Sequence, residues 1–160
     1  MLVQEDISGD LDLLNAAKAY LVKKYNKPGD AFLALVHRLD RPVGGVILFA
    51  KTSKGASRIS HELRLNRFER RYLTVVRGTP KDKSGKLTDF LLKDERKNKT
   101  TVVHPSTKNA KRAILRYEVL DVNPAEDLSL LSVELETGRS HQIRVQLAEL
   151  GHPIFGYQKY

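Results

Sequence analysis

The chain has 160 residues, 41% hydrophobic and 29% charged, with 28 Lys plus Arg against 19 Asp plus Glu and a net charge of +9. That length suits one domain around one core, and the charge favours a polyanionic partner, nucleic acid above all. With no cysteine, a disulfide framework and thiolate zinc sites are excluded, and no run approaches the ~18 apolar residues of a membrane span.

In chain order, DLDLLNAAKAYLVKKYN predicts a helix over residues 10–26, with Leu14, Ala17 and Leu21 at helical spacing and Asp10 as its cap. Pro28 and Gly29 stop it. FLALV (32–36) and VILFAKT (46–52) are apolar almost throughout and predict two strands buried on both faces. HRLDRPVGG (37–45) connects them, with Gly44 and Gly45 expected to allow a tight approach of that loop to the second strand. A second helix is predicted over 53–66, with Ala56, Ile59 and Leu63 on one side. YLTVVRG (72–78) reads as a strand. The charged stretch 81–99 is expected to hold an edge strand over 87–92.

Ala113, Leu115, Tyr117 and Val119 alternate, then the turn NPAED leads into LSLLSVELET, so an antiparallel hairpin is expected. SHQIRVQLAEL (140–150) predicts a last helix, turning Ile143, Leu147 and Leu150 inward. Strands and helices do not alternate regularly. The fold class is therefore α+β, a mixed and largely antiparallel sheet flanked by helices, in a single domain over 1–160.

HRLDRP places one carboxylate, Asp40, between Arg38 and Arg41. Asp40 either forms a surface ion pair worth ~0–1 kcal/mol or is a working group that the arginines keep ionised. Five histidines, at 37, 61, 104, 141 and 152, show no metal-ligand spacing. A glycosidase would need a second carboxylate beside the first, and none is evident. The opening MLVQEDISGD lacks the blocks of a signal peptide.

Three blocks carry a more specific signal: HRLDRPVGG, then Arg70-Arg71-Tyr72 ahead of a strand, then TGRSHQIRVQL (137–147) followed by GHPIFG. In order and spelling they resemble the RluA-type pseudouridine synthases, which isomerise uridine in ribosomal or transfer RNA. The resemblance runs nearly end to end. It implies the pseudouridine synthase catalytic fold, with Asp40 as nucleophile and Arg144 placed beside it to stabilise its charge. Asp40 would attack the ribose anomeric carbon or take a neighbouring ribose proton. The uracil would then rotate and rejoin through carbon-5. Tyr72, which alone would read as a core aromatic, would stack on the target base; Arg38, otherwise a phosphate contact, would fill the gap left by a flipped nucleotide. His37, Arg41, His141 and Gln142 would steady the loops.

RNA contacts are expected from Arg38, Arg41, Arg70, Arg71 and Arg139, within wider basic clusters at Arg64, Arg67, Lys108, Lys111, Arg112 and Arg116. The reaction needs no cofactor and no metal, so RNA is the expected partner of a cytoplasmic monomer. Two departures stand out. Tyr157 occupies the place of the family's aspartate in GHPIxGD. The chain also starts and stops inside the family pattern, so the catalytic domain is expected to be incomplete at both ends, and no S4-like domain is expected. A non-catalytic RNA-binding fragment is the alternative.

Overall fold

In the computed structural model, which describes residues 3–4, 11–40, 43–65, 67–157 and 160, the first helix, α1 (Leu13–Lys24), begins at the side chain of Asp12. The Asp12 carboxylate accepts from the Asn15 backbone at 2.9 Å and from the Asn15 side chain at 2.7 Å. It thereby satisfies a donor that the first helical turn leaves open, worth about 1 kcal/mol. Asp10, the cap expected from sequence, lies outside the described residues. Two short strands follow, β1 (Ala34–Leu35) and β2 (Phe49–Ala50), paired antiparallel. They are not the doubly covered strands that their apolar runs predicted. Ala50 is buried, but Phe32 and Leu48 are exposed and Val46 is 90% exposed. An unbroken apolar run says that a segment is apolar; it does not say what covers it. Helix α2 (Ser53–Arg64) is capped by Thr52, whose hydroxyl accepts from Gly55 N at 3.0 Å. Ala56, Ile59 and Leu63 are its half-buried side, as the spacing predicted.

These elements belong to one unit, Met1–Arg67; a second comprises Phe68–Tyr160. The second unit is a five-stranded sheet with one helix. Its strands are β3 (Arg71–Arg77), β4 (Ser84–Asp94), β5 (Lys99–Val102), β6 (Lys111–Asn123) and β7 (Leu128–Leu135), in spatial order β3-β7-β6-β4-β5. Every described pairing is antiparallel. The fold is α+β.

Alternation decides which face is interior. Ala113, Leu115 and Tyr117 of β6 and Leu131, Val133 and Leu135 of β7 are buried, as is Val76 of β3. Helix α3 (Gln142–Glu149) lays Leu147 on that face, with Ile143 packed beside it. A bulge between Val119 and Asp121 shifts the β6–β7 register. Leu120 falls in it and stays exposed, which is how an apolar residue breaks the alternation.

The charged stretch holds more structure than expected. β4 is an interior strand, paired with β6 on one side and β5 on the other. The turn between β4 and β5 is secured by Asp94, whose carboxylate accepts from Lys97 N at 3.1 Å, and by Asn98 at φ 45°. Four residues of β5 flanked by charge were too short to read as a strand. No helix among the described residues is long and apolar enough to cross a membrane.

On the outer face Lys86 and Arg116 stand opposite each other in register, a like-charge pair that costs stability. Glu136 answers both, at 2.9 Å from Lys86 Nζ and 2.8 Å from Arg116 Nε. These bonds, the one from Lys86 foremost, hold its carboxyl below the usual range. A depressed folded-state pKa adds stability that is present above about pH 4.5 and lost as pH falls through the folded value. We therefore expect Glu136→Gln to lower urea stability at pH 7 by up to about 1 kcal/mol. That deficit should shrink as pH falls through the folded-state value of the wild-type carboxyl.

Candidate functional site

In the first unit the expected residues lie on one connection. His37 is half-buried and its Nε2 accepts from Leu48 N at 2.9 Å. Burial lowers its pKa below the ordinary 6.5, which keeps the ring neutral and able to accept. This bond spans 11 residues and closes the HRLD loop at its neck. Beyond the neck, Arg38 and Asp40 are exposed, and the Asp40 carbonyl accepts from Val43 N at 2.9 Å. Gly45 is required by backbone conformation, at φ 150°, and not by a tight approach, since an added Cβ would meet only Leu39 at 3.7 Å. Gly44 has nothing within 4 Å. Arg41 lies outside the described residues.

In the second unit the site grows from a gap in the sheet. The β6–β7 register ends at Leu115 opposite Leu135. Ile114 O still accepts from Glu136 N at 3.1 Å and Thr137 N at 3.2 Å, but Ile114 N is left to a side chain. Thr137 supplies it, and Gln142 adds a further donor to the carbonyl. The Thr137 hydroxyl accepts from Ile114 N at 2.7 Å, and the Gln142 side-chain NH₂ donates to Ile114 O at 3.0 Å. Gln142 Oε1 then accepts from the Thr137 hydroxyl at 2.9 Å and from Arg139 N at 3.0 Å. One buried amide, 2% exposed, thus closes the Thr137–His141 loop onto β6 and anchors the start of α3.

The loop is tight at two further points. His141 caps α3 at φ 54° without a side-chain cap bond, a left-handed conformation costing roughly 1–2 kcal/mol for a residue with a Cβ. Its Nδ1 instead shares a 2.6 Å hydrogen bond with Tyr160 Oη, which also accepts from Thr100 N at 2.9 Å. At Gly138 a Cβ would come within 2.5 Å of Arg70 Nη1. The missing side chain is the room through which Arg70 reaches Leu135 O, at 3.4 Å.

Arg144 is 7% exposed on α3. A guanidinium cannot shed its proton, so its burial requires compensation. It donates to Tyr157 Oη, and its central carbon lies 3.9 Å from the centroid of the Tyr157 ring. A desolvated cation–π contact of this kind is worth about 2 kcal/mol. Tyr157 in turn stacks on Tyr160, with centroids 6.1 Å apart and planes 9° from parallel.

The fold therefore gathers Arg70, Arg139, His141, Gln142 and Arg144 around one loop. Tyr72 is half-buried on β3, opposite Val133, on the face that α3 covers, and packs against the core there. Arg139 Nε donates to Arg112 O at 3.0 Å. Arg71 pairs with Glu69 at 3.2 Å, both exposed, and Arg67 pairs with Glu62 at 3.3 Å. With Arg116 on Glu136, part of the basic footprint is spent internally. Sequence reasoning missed Thr137 as a clamp, Tyr160 as an anchor and Gln146. The last is 1% exposed and donates to Asp89 Oδ2 at 2.6 Å. The spacing Tyr157-x-x-Tyr160 was the available signal for the aromatic pair. Among the described residues, no three His, Asp or Glu converge as a metal-holding group.

Because Gln142 bonds three part-buried groups at once, Gln142→Leu leaves the Thr137 hydroxyl and Arg139 N–H without that acceptor, at up to about 1–3 kcal/mol. The expected outcome is a loss of that order in denaturant stability, with faster amide exchange at Ile114 and Arg139. An unchanged exchange pattern would show that the clamp is dispensable.

Comparison with known proteins identifies the family. A family model described as RNA pseudouridylate synthase matches residues 7–149. An uncharacterized RNA pseudouridine synthase of Bacillus subtilis is 36% identical over 125 residues, which is 78% of this chain and 40% of that protein. Ribosomal large subunit pseudouridine synthase C of Buchnera aphidicola is 34% identical over 134 residues, covering 84% of this chain and 42% of its own length. The chain thus spans about two fifths of these relatives. Among solved structures, the human RNA pseudouridylate synthase domain containing 4 shares the fold with a TM-score of 0.83 at 23% identity, over 100% of this chain and 62% of that one.

Proposed function

The chain belongs to the RNA pseudouridylate synthase family, and from that premise we propose that it isomerises specific uridines of ribosomal or transfer RNA to pseudouridine. The observation that carries this reading is a buried arginine, Arg144, held on a helix whose first turn is locked by Gln142. A chain that only bound RNA phosphates would be served by exposed, mobile cations. A desolvated and oriented guanidinium suits one defined anionic group.

In this reading Asp40 is the nucleophile and acts with Arg144 on one flipped uridine. The carboxylate attacks the anomeric carbon, or removes a ribose proton, as the bond from that carbon to uracil N1 breaks. The freed uracil turns and bonds through carbon-5 as the carboxylate leaves the anomeric carbon, or as it returns the ribose proton in the second route, and the carbon-5 proton passes to solvent. Nothing is oxidised and no group is lost, so the chemistry asks for positioning and exclusion of water rather than a cofactor or metal. Tyr72 offers a ring for the base to stack on. Arg38 fills the vacated stack, offsetting an unstacking cost of a few kcal/mol. Arg41, Arg71 and Arg139 meet phosphates. The half-buried Arg70 and the pair His37 and His141 keep the two loops in shape. The enzyme is taken to act as a monomer in the cytoplasm.

Carbon-5 tritiated uridine in unmodified ribosomal and transfer RNA transcripts provides the test, because each isomerisation sends that label to water. The wild-type chain should release label. Asp40→Asn should not, while RNA affinity is kept, since removing an anion takes nothing from phosphate attraction. Equal release by the variant would remove Asp40 from the chemistry. RNA binding without any release by the wild type would leave a basic RNA-binding protein.

A further inference from the structure

One contact stands where the resemblance implies an aspartate. The residue after GHPIFG is Tyr157, and its ring lies against the Arg144 guanidinium. An aspartate there would bring a countercharge of its own. A tyrosine brings a flat neutral surface and one acceptor oxygen, which bonds Arg144 Nη1.

That surface is itself fixed. Tyr157 is parallel to Tyr160 within 9°. Tyr160 Oη is tied to Thr100 N of β5 at 2.9 Å and to His141 Nδ1 at 2.6 Å, and the His141 ring meets Tyr160 edge-on at 71°. His141 is the cap residue of α3 and Arg144 lies in its first turn. The path from α3 through Tyr160 and Tyr157 therefore returns to α3. The cap of α3 and a residue in its first turn thus meet the aromatic pair, and the pair lays a ring against the guanidinium.

We propose that Tyr157 is a positioning residue: its ring sets the plane of Arg144 by stacking, adding no countercharge. The inference rests on the function proposed above, in which Arg144 serves the isomerisation. Ring and hydroxyl are separable. Tyr157→Phe keeps the face and loses the acceptor, whereas Tyr157→Leu keeps bulk and loses the face.

Two measurements on the 160-residue chain test it. In ¹⁵N NMR the Arg144 Nε–H proton should sit upfield of ordinary arginine signals through the ring current of Tyr157. The shift should persist in Tyr157→Phe and be lost in Tyr157→Leu. In tritium release Tyr157→Leu should lower kcat about tenfold, with KM within about twofold, as expected of a misplaced group in a formed site. Tyr157→Phe should restore kcat to within about threefold of wild type, equivalent to under 1 kcal/mol. An Arg144 signal at the ordinary position in the wild type overturns the proposal, whether or not any variant folds. So does Tyr157→Phe as impaired as Tyr157→Leu, or Tyr157→Leu with unchanged kcat. Absence of release by the wild type strikes the proposed function instead, and the NMR shift still decides the stacking.

Discussion

A guanidinium that cannot give up its proton lies almost out of reach of water on α3, and much of the second unit is arranged around that fact. Burial of Arg144 at 7% exposure would be costly without partners. The neighbouring groups convert the cost into orientation. A π face and a hydroxyl from Tyr157 meet the cation. The helix bearing it is fixed at its start by a glutamine that bonds three groups of the loop and sheet.

The sheet explains why the clamp is where it is. A ladder that ran on past Leu115 and Leu135 would have given Ile114 N a backbone acceptor and no use for a side chain. Because β7 ends there, Thr137 and Gln142 complete the hydrogen bonds, and the chain is released into a loop of defined shape. Strain at His141 and the close passage of Arg70 over Gly138 follow from forcing a helix to begin within that short space. Sequence, sheet end, loop and helix form one continuous mechanical argument. The guanidinium is its end point. In the first unit a neutral histidine does a comparable job with one bond, His37 to Leu48, at the neck of the loop that carries Asp40.

What could be read from the sequence had local causes. Period-two alternation in 113–135 reports a face buried along each strand, so β6, β7 and their turn were legible. Helix α2 was legible because one side is apolar and the other charged. Short or long-range features were not. β5 has four residues and no apolar run. The short β1 and β2 look apolar yet leave neighbours such as Val46 in solvent. On α3 the spacing of Ile143, Leu147 and Leu150 marked a correct apolar side, but Gln142, Arg144 and Gln146 are more deeply buried than Ile143 and Leu150. Burial of Gln142 and Gln146 depends on partners 28 and 57 residues away, which no periodicity records. The candidate site was legible through spelled motifs instead, and these named Gln142 and Arg144 without revealing the clamp that Gln142 makes with Thr137 and Ile114.

The central claim is that Arg144 acts as a planar, oriented group and not simply as a positive charge. Arg144→Lys separates the two, since lysine keeps the charge but offers neither the fork nor the flat face that stacks on a ring. Label release from carbon-5 tritiated RNA, measured beside RNA affinity and thermal stability, is the direct measurement. The account predicts a loss of turnover of about a hundredfold or more, with RNA binding and folding retained. Turnover close to wild type in the lysine variant would contradict it.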